Sequence, residues 1–264
     1  MTEFTSTRRP VLELCAGGIE DMLLAASAGV DRIELNSGMA LGGLTPSAGL
    51  ISFARKEFSG PIIAMVRPRE SGFCYSNAEF RQMLQDAALM LEAGIDGLAF
   101  GCLLPDGSVD QHRCQQMRQE CGTATLVFHK AFDATPVLRD SLRVLMDCGI
   151  NRILTSGGRR TAAEGADIIR ELQLHAGRHM EILPGGGIRA ANVCEILTQT
   201  GCSQIHTSAR EWAVDLSTQH CPQLDFGSPE RQPGAYGRAS ADQLSELMAA
   251  MRAGCRKDAP KCSR

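Results

Sequence analysis

The sequence repeats itself, and the repeat constrains the fold more than any other feature. The segments 28-AGVDRIEL-35, 93-AGIDGLAF-100, 148-CGINRILT-155 and 200-TGCSQIHT-207 share one pattern. A glycine is followed by two residues, the second Asp, Asn or Ser, then by a polar or small residue and an alternating apolar run. Gly29, Gly94, Gly149 and Gly201 suit the left-handed position that ends a helix, and the residues after them favour extended chain. Each copy therefore reads as a helix end flowing into a strand.

The four glycines stand 65, 55 and 52 residues apart, room for two strand–helix units per interval. A second strand appears in each: 61–69, 124–132 and 180–186. With 10–15 at the start, the chain has eight strands. Helical patterns fill the gaps at 18–28, 47–57, 77–92, 110–120, 136–147, 161–176, 189–199 and 241–252. Thr45 with Pro46 is expected to cap the second helix. Eight strands alternating with helices imply a parallel sheet, and eight such units close into a single-domain (β/α)8 TIM barrel. An open doubly wound sheet is the rival, but it would lack the fourfold repeat of paired units. Residues 1–9 read as a polar arm and 256–264 as a tail. Within the 10–255 barrel, residues 213–240, rich in Gly, Pro, Gln and Ser, read as a long loop, mobile or ordered by a partner subunit.

Composition excludes several classes. A net charge of −3 gives no footprint for nucleic acid. No apolar run reaches 18 residues, and no secretory leader opens the chain, so a cytoplasmic protein without a membrane partner is expected. The 11 cysteines are odd in number and lie in a long, core-rich chain, so reduced thiols are the expectation. Motifs of serine hydrolases, P-loop proteins and zincins are missing.

In such a barrel the chemistry sits at the carboxyl ends of the strands. Those ends carry Glu13 and Cys15; Glu34 and Asn36; Arg67 and Arg69; Gly101 and Cys102; His129, Lys130 and Asp133; Thr155, Ser156 and Gly157; Gly185, Gly186 and Gly187; and His206, Ser208 and Arg210. Alternation along a strand turns Arg32, Glu34 and Asn36 inward, with Glu13 and Cys15. A network of Glu13 and Glu34 with Arg67 follows, as a structural plug or as part of a ligand site. The glycines of the sixth and seventh strand ends let backbone N–H groups approach an anion, with Ser208 and Arg210 to complete a phosphate site. The same glycines also serve simple tight turns. Cys15, Cys74 and Cys102, with His129 and His206, are the ligand types that would suit a soft metal if the fold brings them to the mouth, but spacing alone makes no metal site.

The motifs together resemble the CutC family, named for a proposed role in copper homeostasis. LELC (12–15), DRIEL (31–35), GGLTPS (42–47), MVRPR (65–69), GFCYS (72–76), DGSVD (106–110), FHKAFD (128–133), RILTSGG (152–158), LPGGGI (183–188) and HTSAR (206–210) carry the resemblance. It implies a (β/α)8 barrel, a cytosolic location, a homodimer and the handling of Cu(I). It also makes Cys15 the first metal candidate, with Cys102 as a second thiol. Two positions depart from the family pattern. Asn36 stands where relatives commonly carry cysteine. Lys130 replaces an arginine, keeping the charge but losing the planar fork.

Two functions stay open, beside a third reading as a regulatory or scaffold dimer that retains an old barrel mouth. One is Cu(I) binding through Cys15. The other is an enzyme for a small anionic or phosphorylated metabolite. There Glu13 or Glu34 would be the base, His129 the acid, with Asp133 in the catalytic set and Arg67 a clamp. Arg69, Lys130, Ser156, Gly157, Gly185, Gly186, Gly187, His206, Ser208 and Arg210 would hold the ligand.

Overall fold

The computed structural model describes residues 9–221, 223–224 and 233–254. Eight parallel strands form one sheet: β1 (Val11–Ala16), β2 (Arg32–Leu35), β3 (Ile62–Met65), β4 (Gly97–Phe100), β5 (Thr125–Phe128), β6 (Arg152–Thr155), β7 (Glu181–Pro184) and β8 (Gln204–Thr207). Each strand pairs with its sequence neighbour from β1 through β7, and β8 pairs with β1. A parallel bridge between Gly185 and His206 brings the ends of β7 and β8 together and closes the barrel. The helices are α1 (Ile19–Ala28), α2 (Ala48–Glu57), α3 (Asn77–Glu92), α4 (Gln111–Cys121), α5 (Leu138–Asp147), α6 (Ala166–Ala176), α7 (Val193–Thr200) and α8 (Ala241–Gly254). Among the described residues no helix is long and apolar enough to cross a membrane.

Two cores follow from the alternation of side chains. Outward-facing residues such as Leu12, Leu14, Ile33, Leu35, Leu98 and Phe100 pack against Met22, Met83, Met117 and Leu145 of the helices. Each such burial contributes about 1.5–3 kcal/mol. Inside the barrel, Ile63, Met65, Ala99, Val127, Leu154 and Leu183 form a smaller apolar cluster.

The rest of the interior is charged. The third residue after each repeat glycine is Arg32, Gly97, Arg152 or Gln204, and the fifth is Glu34, Ala99, Leu154 or His206. All eight lie on the even-numbered strands, where a barrel builds its layers four at a time. Arg32, Glu34, Gln204 and His206 fall together because β8, β1 and β2 are neighbours, while Arg152 of β6 pairs with Glu181 of β7. Glu13 stands opposite Arg32 on one side and His206 on the other.

Two expectations change. Ser47, not Thr45, caps α2, accepting from the Leu50 N–H at 3.2 Å. The Thr45 hydroxyl instead exchanges hydrogen bonds with the Arg67 backbone, at 3.0 and 3.1 Å. The 213–240 stretch is not one loop. An antiparallel hairpin of β9 (Arg210–Val214) and β10 (Ala235–Ala239) frames it, in register from Arg210–Ala239 to Val214–Ala235. Asp21 of α1 anchors the hairpin, accepting from the Ala239 N–H at 2.7 Å while holding the Gly17 N–H at 2.8 Å. The arm, except Arg9, and the 256–264 tail lie outside the described residues, as do 222 and 225–232 of the loop. Arg9 forms an ion pair with Asp31.

Candidate functional site

At the carboxyl ends of the strands opens a cavity of about 420 Å3. Cys15, Glu34, Asn36 and His206 line one side, and Lys130, Gly186, Gly187, Arg189 and Ser208 another. Met65, Phe73 and Leu154 supply an apolar wall between them, with Arg67 and His129 beside Phe73. A second, polar cavity of about 470 Å3 lies at the amino ends of the strands, among Asn151, Arg178 and His179. That is the face on which barrels place stability rather than chemistry.

Below the mouth, Glu13 is buried and salt-bridged to the Arg32 Nε, and its other oxygen meets His206 Nδ1 at 2.7 Å. Burial pushes Glu13 up, but the His206 hydrogen bond and the Arg32 charge outweigh it and hold the carboxyl at about 2. His206 shifts the other way. Burial opposes its charge, yet Glu34, Cys15 and Glu13 around the ring raise it well above the ordinary imidazole value.

One layer higher, Cys15 Sγ, a Glu34 carboxylate oxygen and a ring nitrogen of His206 lie within 4.8 Å of one another. His206 Nε2 is 4.0 Å from Glu34 Oε2. The thioether of Met39, in the 3-10 turn Met39–Leu41, is 3.9 Å from Cys15 Sγ. The Asn36 amide donates to the same sulfur at 3.4 Å and to Glu34 at 2.9 Å. Burial raises both Cys15 and Glu34 above their ordinary values.

The expected Glu13–Glu34–Arg67 network does not form. Arg67 donates to the carbonyls of Leu41, Gly43 and Ser71, at 2.8, 2.8 and 2.9 Å, and lies over the Phe73 ring. It ties two loops to the rim. His129 Nδ1 accepts from the Ala131 N–H at 3.1 Å, so the ring proton of the neutral form is on Nε2. That nitrogen is buried without a partner among the described residues. Burial, reinforced by the Arg67 charge, drives His129 down to about 3. Gly101 fits beside it because any Cβ there would sit 2.7 Å from Nδ1.

A depressed histidine disfavours acid. The unfolded chain takes up the proton near pH 6.5, so stability is lost as the pH falls from there toward 3. We expect imidazole 15N spectra to show His129 as the neutral Nε2–H form at pH 5, with His206 doubly protonated. A protonated His129 at pH 5 would remove it as a neutral donor.

The remaining predicted residues divide. Asp133 accepts from Lys130 Nζ at 2.7 Å, from Thr155, and from the Ser156 and Gly158 N–H groups at 2.9 Å each. Burial pushes it up, but Lys130 and these donors hold it below the ordinary value. It fastens the β5 end to the β6 end. Lys130 also reaches Ser156 Oγ at 2.6 Å. The N–H groups of Gly157 and Gly185 are taken, by Thr155 Oγ1 at 2.8 Å and the Thr155 carbonyl at 2.9 Å. Arg69 binds Glu79 at 2.6 Å and the Cys74 carbonyl at 3.0 Å, away from the cavity. Arg210 lies against Gly237 of the hairpin rather than in the cavity wall. Cys102 faces outward into the core between sheet and helices, where burial lifts its thiol to about 12. It does not approach Cys15. Met39, Phe73 and Arg189 were not singled out from the sequence. They sit in loops, where no periodicity marks a direction.

Fold and site together define a (β/α)8 barrel whose mouth joins a sulfur–imidazole cluster to a basic wall. The chain belongs to the CutC family, whose sequence profile matches residues 10–211. A CutC family protein from Treponema denticola is 42% identical over 238 residues, covering 90% of this chain and 97% of its own. The human copper homeostasis protein cutC homolog is 37% identical over 200 residues, covering 76% and 73%. A solved CutC structure from Streptococcus agalactiae superposes with a TM-score of 0.72 at 32% identity, covering 75% of this chain and 98% of that one.

Proposed function

We propose that this chain is a cytosolic copper-handling protein that holds one Cu(I) ion between Cys15 Sγ, Met39 Sδ and His206 Nε2. The observation that carries the reading is the pair of sulfurs 3.9 Å apart beside an imidazole. Ligands each about 2.3 Å from one ion stand about 4 Å apart at trigonal angles, the spacing of these two sulfurs. Thiolate and thioether select Cu(I), and imidazole accepts it. Glu13 holds His206 by Nδ1, which leaves Nε2 as the ligand atom and orients the ring, as carboxylates do behind metal-bound histidines. Glu34 is pushed toward its neutral form, which weakens it as a competing hard ligand. In this chain Met39 supplies the second sulfur beside Asn36. The copper homeostasis name of the human relative agrees with this role.

Anaerobic titration against a Cu(I) chelator tests it. We expect one equivalent to be retained, and Met39→Leu to weaken it about tenfold, the loss of one soft neutral ligand. Equal affinity in Met39→Leu, or no retained Cu(I) in the parent, overturns the proposed ligand set.

A further inference from the structure

The basic wall of the mouth cavity is not needed by a three-ligand copper site, yet it concentrates hydrogen-bond donors with nothing to donate to. Among the described residues, no acceptor meets the N–H groups of Gly187 or Ser208, while that of Gly186 faces the His206 carbonyl in the bridge that closes the barrel. Their neighbours differ, since the N–H groups of Gly157, Gly158, Gly185 and Ala209 all have acceptors. Lys130 Nζ stands 3.8 Å from where a Cβ of Gly186 would be. The Arg189 guanidinium makes only a bond to the adjacent Ile188 carbonyl, at 2.8 Å. Across the cavity, His129 Nε2 is buried and unpartnered among the described residues, on a residue 4% exposed. Buried donors without acceptors are costly and rare. One lining a cavity beside unfilled backbone amides and two cationic side chains marks a place for an acceptor-rich ligand.

We propose that this wall is a phosphoryl-binding subsite for a small phosphorylated metabolite. The phosphoryl group sits at the ends of β7 and β8, on the amides of Gly187 and Ser208, with Lys130 and Arg189 balancing its charge. Gly186 and Gly187 have φ of +103° and +70°, and a side chain at Gly187 would press Thr161 at 3.0 Å. Glycine therefore keeps this backbone both accessible and unstrained. The carbon body of the ligand lies on Phe73, Met65 and Leu154, and an oxygen on that body accepts from His129 Nε2–H. A phosphoryl group suits the wall better than a carboxylate because it offers three acceptor oxygens to these donors. Arg210, facing the hairpin, takes no part.

The test uses the reduced, metal-free protein and inorganic phosphate as probe, followed by calorimetry and 31P line broadening. Saturable one-site binding is expected, with acetate about tenfold weaker. Lys130→Met should weaken phosphate about tenfold. Arg143→Gln, which removes one positive charge from the exposed Asp140 pair on α5, should change it less than about twofold. Lys130 also supports Asp133 and Ser156, so if Lys130→Met fails to fold, Arg189→Gln carries the same expectation. The subsite is overturned by phosphate that does not saturate, by acetate binding equally well, or by equal losses in Arg143→Gln and the wall variants. Copper is absent throughout, so neither result bears on the Cu(I) ligands.

Discussion

Glu13→Ala is expected to destabilise the fold by about 3–5 kcal/mol, the cost of removing one partner from a buried ion pair. The carboxylate is 1% exposed and serves two cations at once, Arg32 and the His206 ring. Arg152 lies near enough to add its charge. Without Glu13, Arg32 keeps only the neutral Gln204 among its described partners, although Glu34 still faces His206 and Glu181 still pairs Arg152. Acid supplies an independent measure. Glu13 is depressed from 4.5 to about 2, so its contribution is present above pH 4.5 and lost as the pH falls through 2, about 3 kcal/mol in all. His206 is raised, so its contribution is present below pH 6.5 and lost as the pH rises through its elevated value. Both limbs should flatten in Glu13→Ala. Urea unfolding across pH 2–9 measures this, and a loss below about 1 kcal/mol would mean that the charges are already solvated.

Cys15→Ser is expected to lower Cu(I) affinity by more than about 100-fold, beyond the range for outer-shell partners. Burial keeps the Cys15 thiol protonated, and the surrounding acceptors keep the second proton on His206. Binding must expel both, so affinity should rise with pH by about tenfold per unit for each proton released. The serine variant should lose one of those two protons from the slope, a signature that a mere change in packing would not produce. An unchanged affinity and slope would exclude Cys15 as a ligand.

How far the site was legible depended on the kind of information each residue needed. Period-two alternation turned Glu13, Cys15, Arg32, Glu34 and Asn36 inward, and the structure agrees. Strand position alone puts Arg67 at the rim but does not assign its partners. Its guanidinium ends among carbonyls of loops 41–43 and 71, which no strand pattern locates. Asp133 looked catalytic beside His129, yet its oxygens are spent on β6 backbone and side chains. Cys102 was assigned to the mouth although Gly101, one residue earlier, occupies the inward position. The alternation used for β1 and β2, applied to β4, would have excluded it.

The repeat and its alternation were sufficient for eight strands, the parallel barrel and the face of each strand that points inward. Those properties depend on local chain geometry, which each short segment carries within itself. Which inward residues become neighbours was decided only by the folded chain. Closing β8 onto β1 sets His206 against Glu13, and a loop turn sets Met39 against Cys15. Such contacts join residues 193 and 24 positions apart, and their pairing depends on strand stagger and loop path rather than on any local preference.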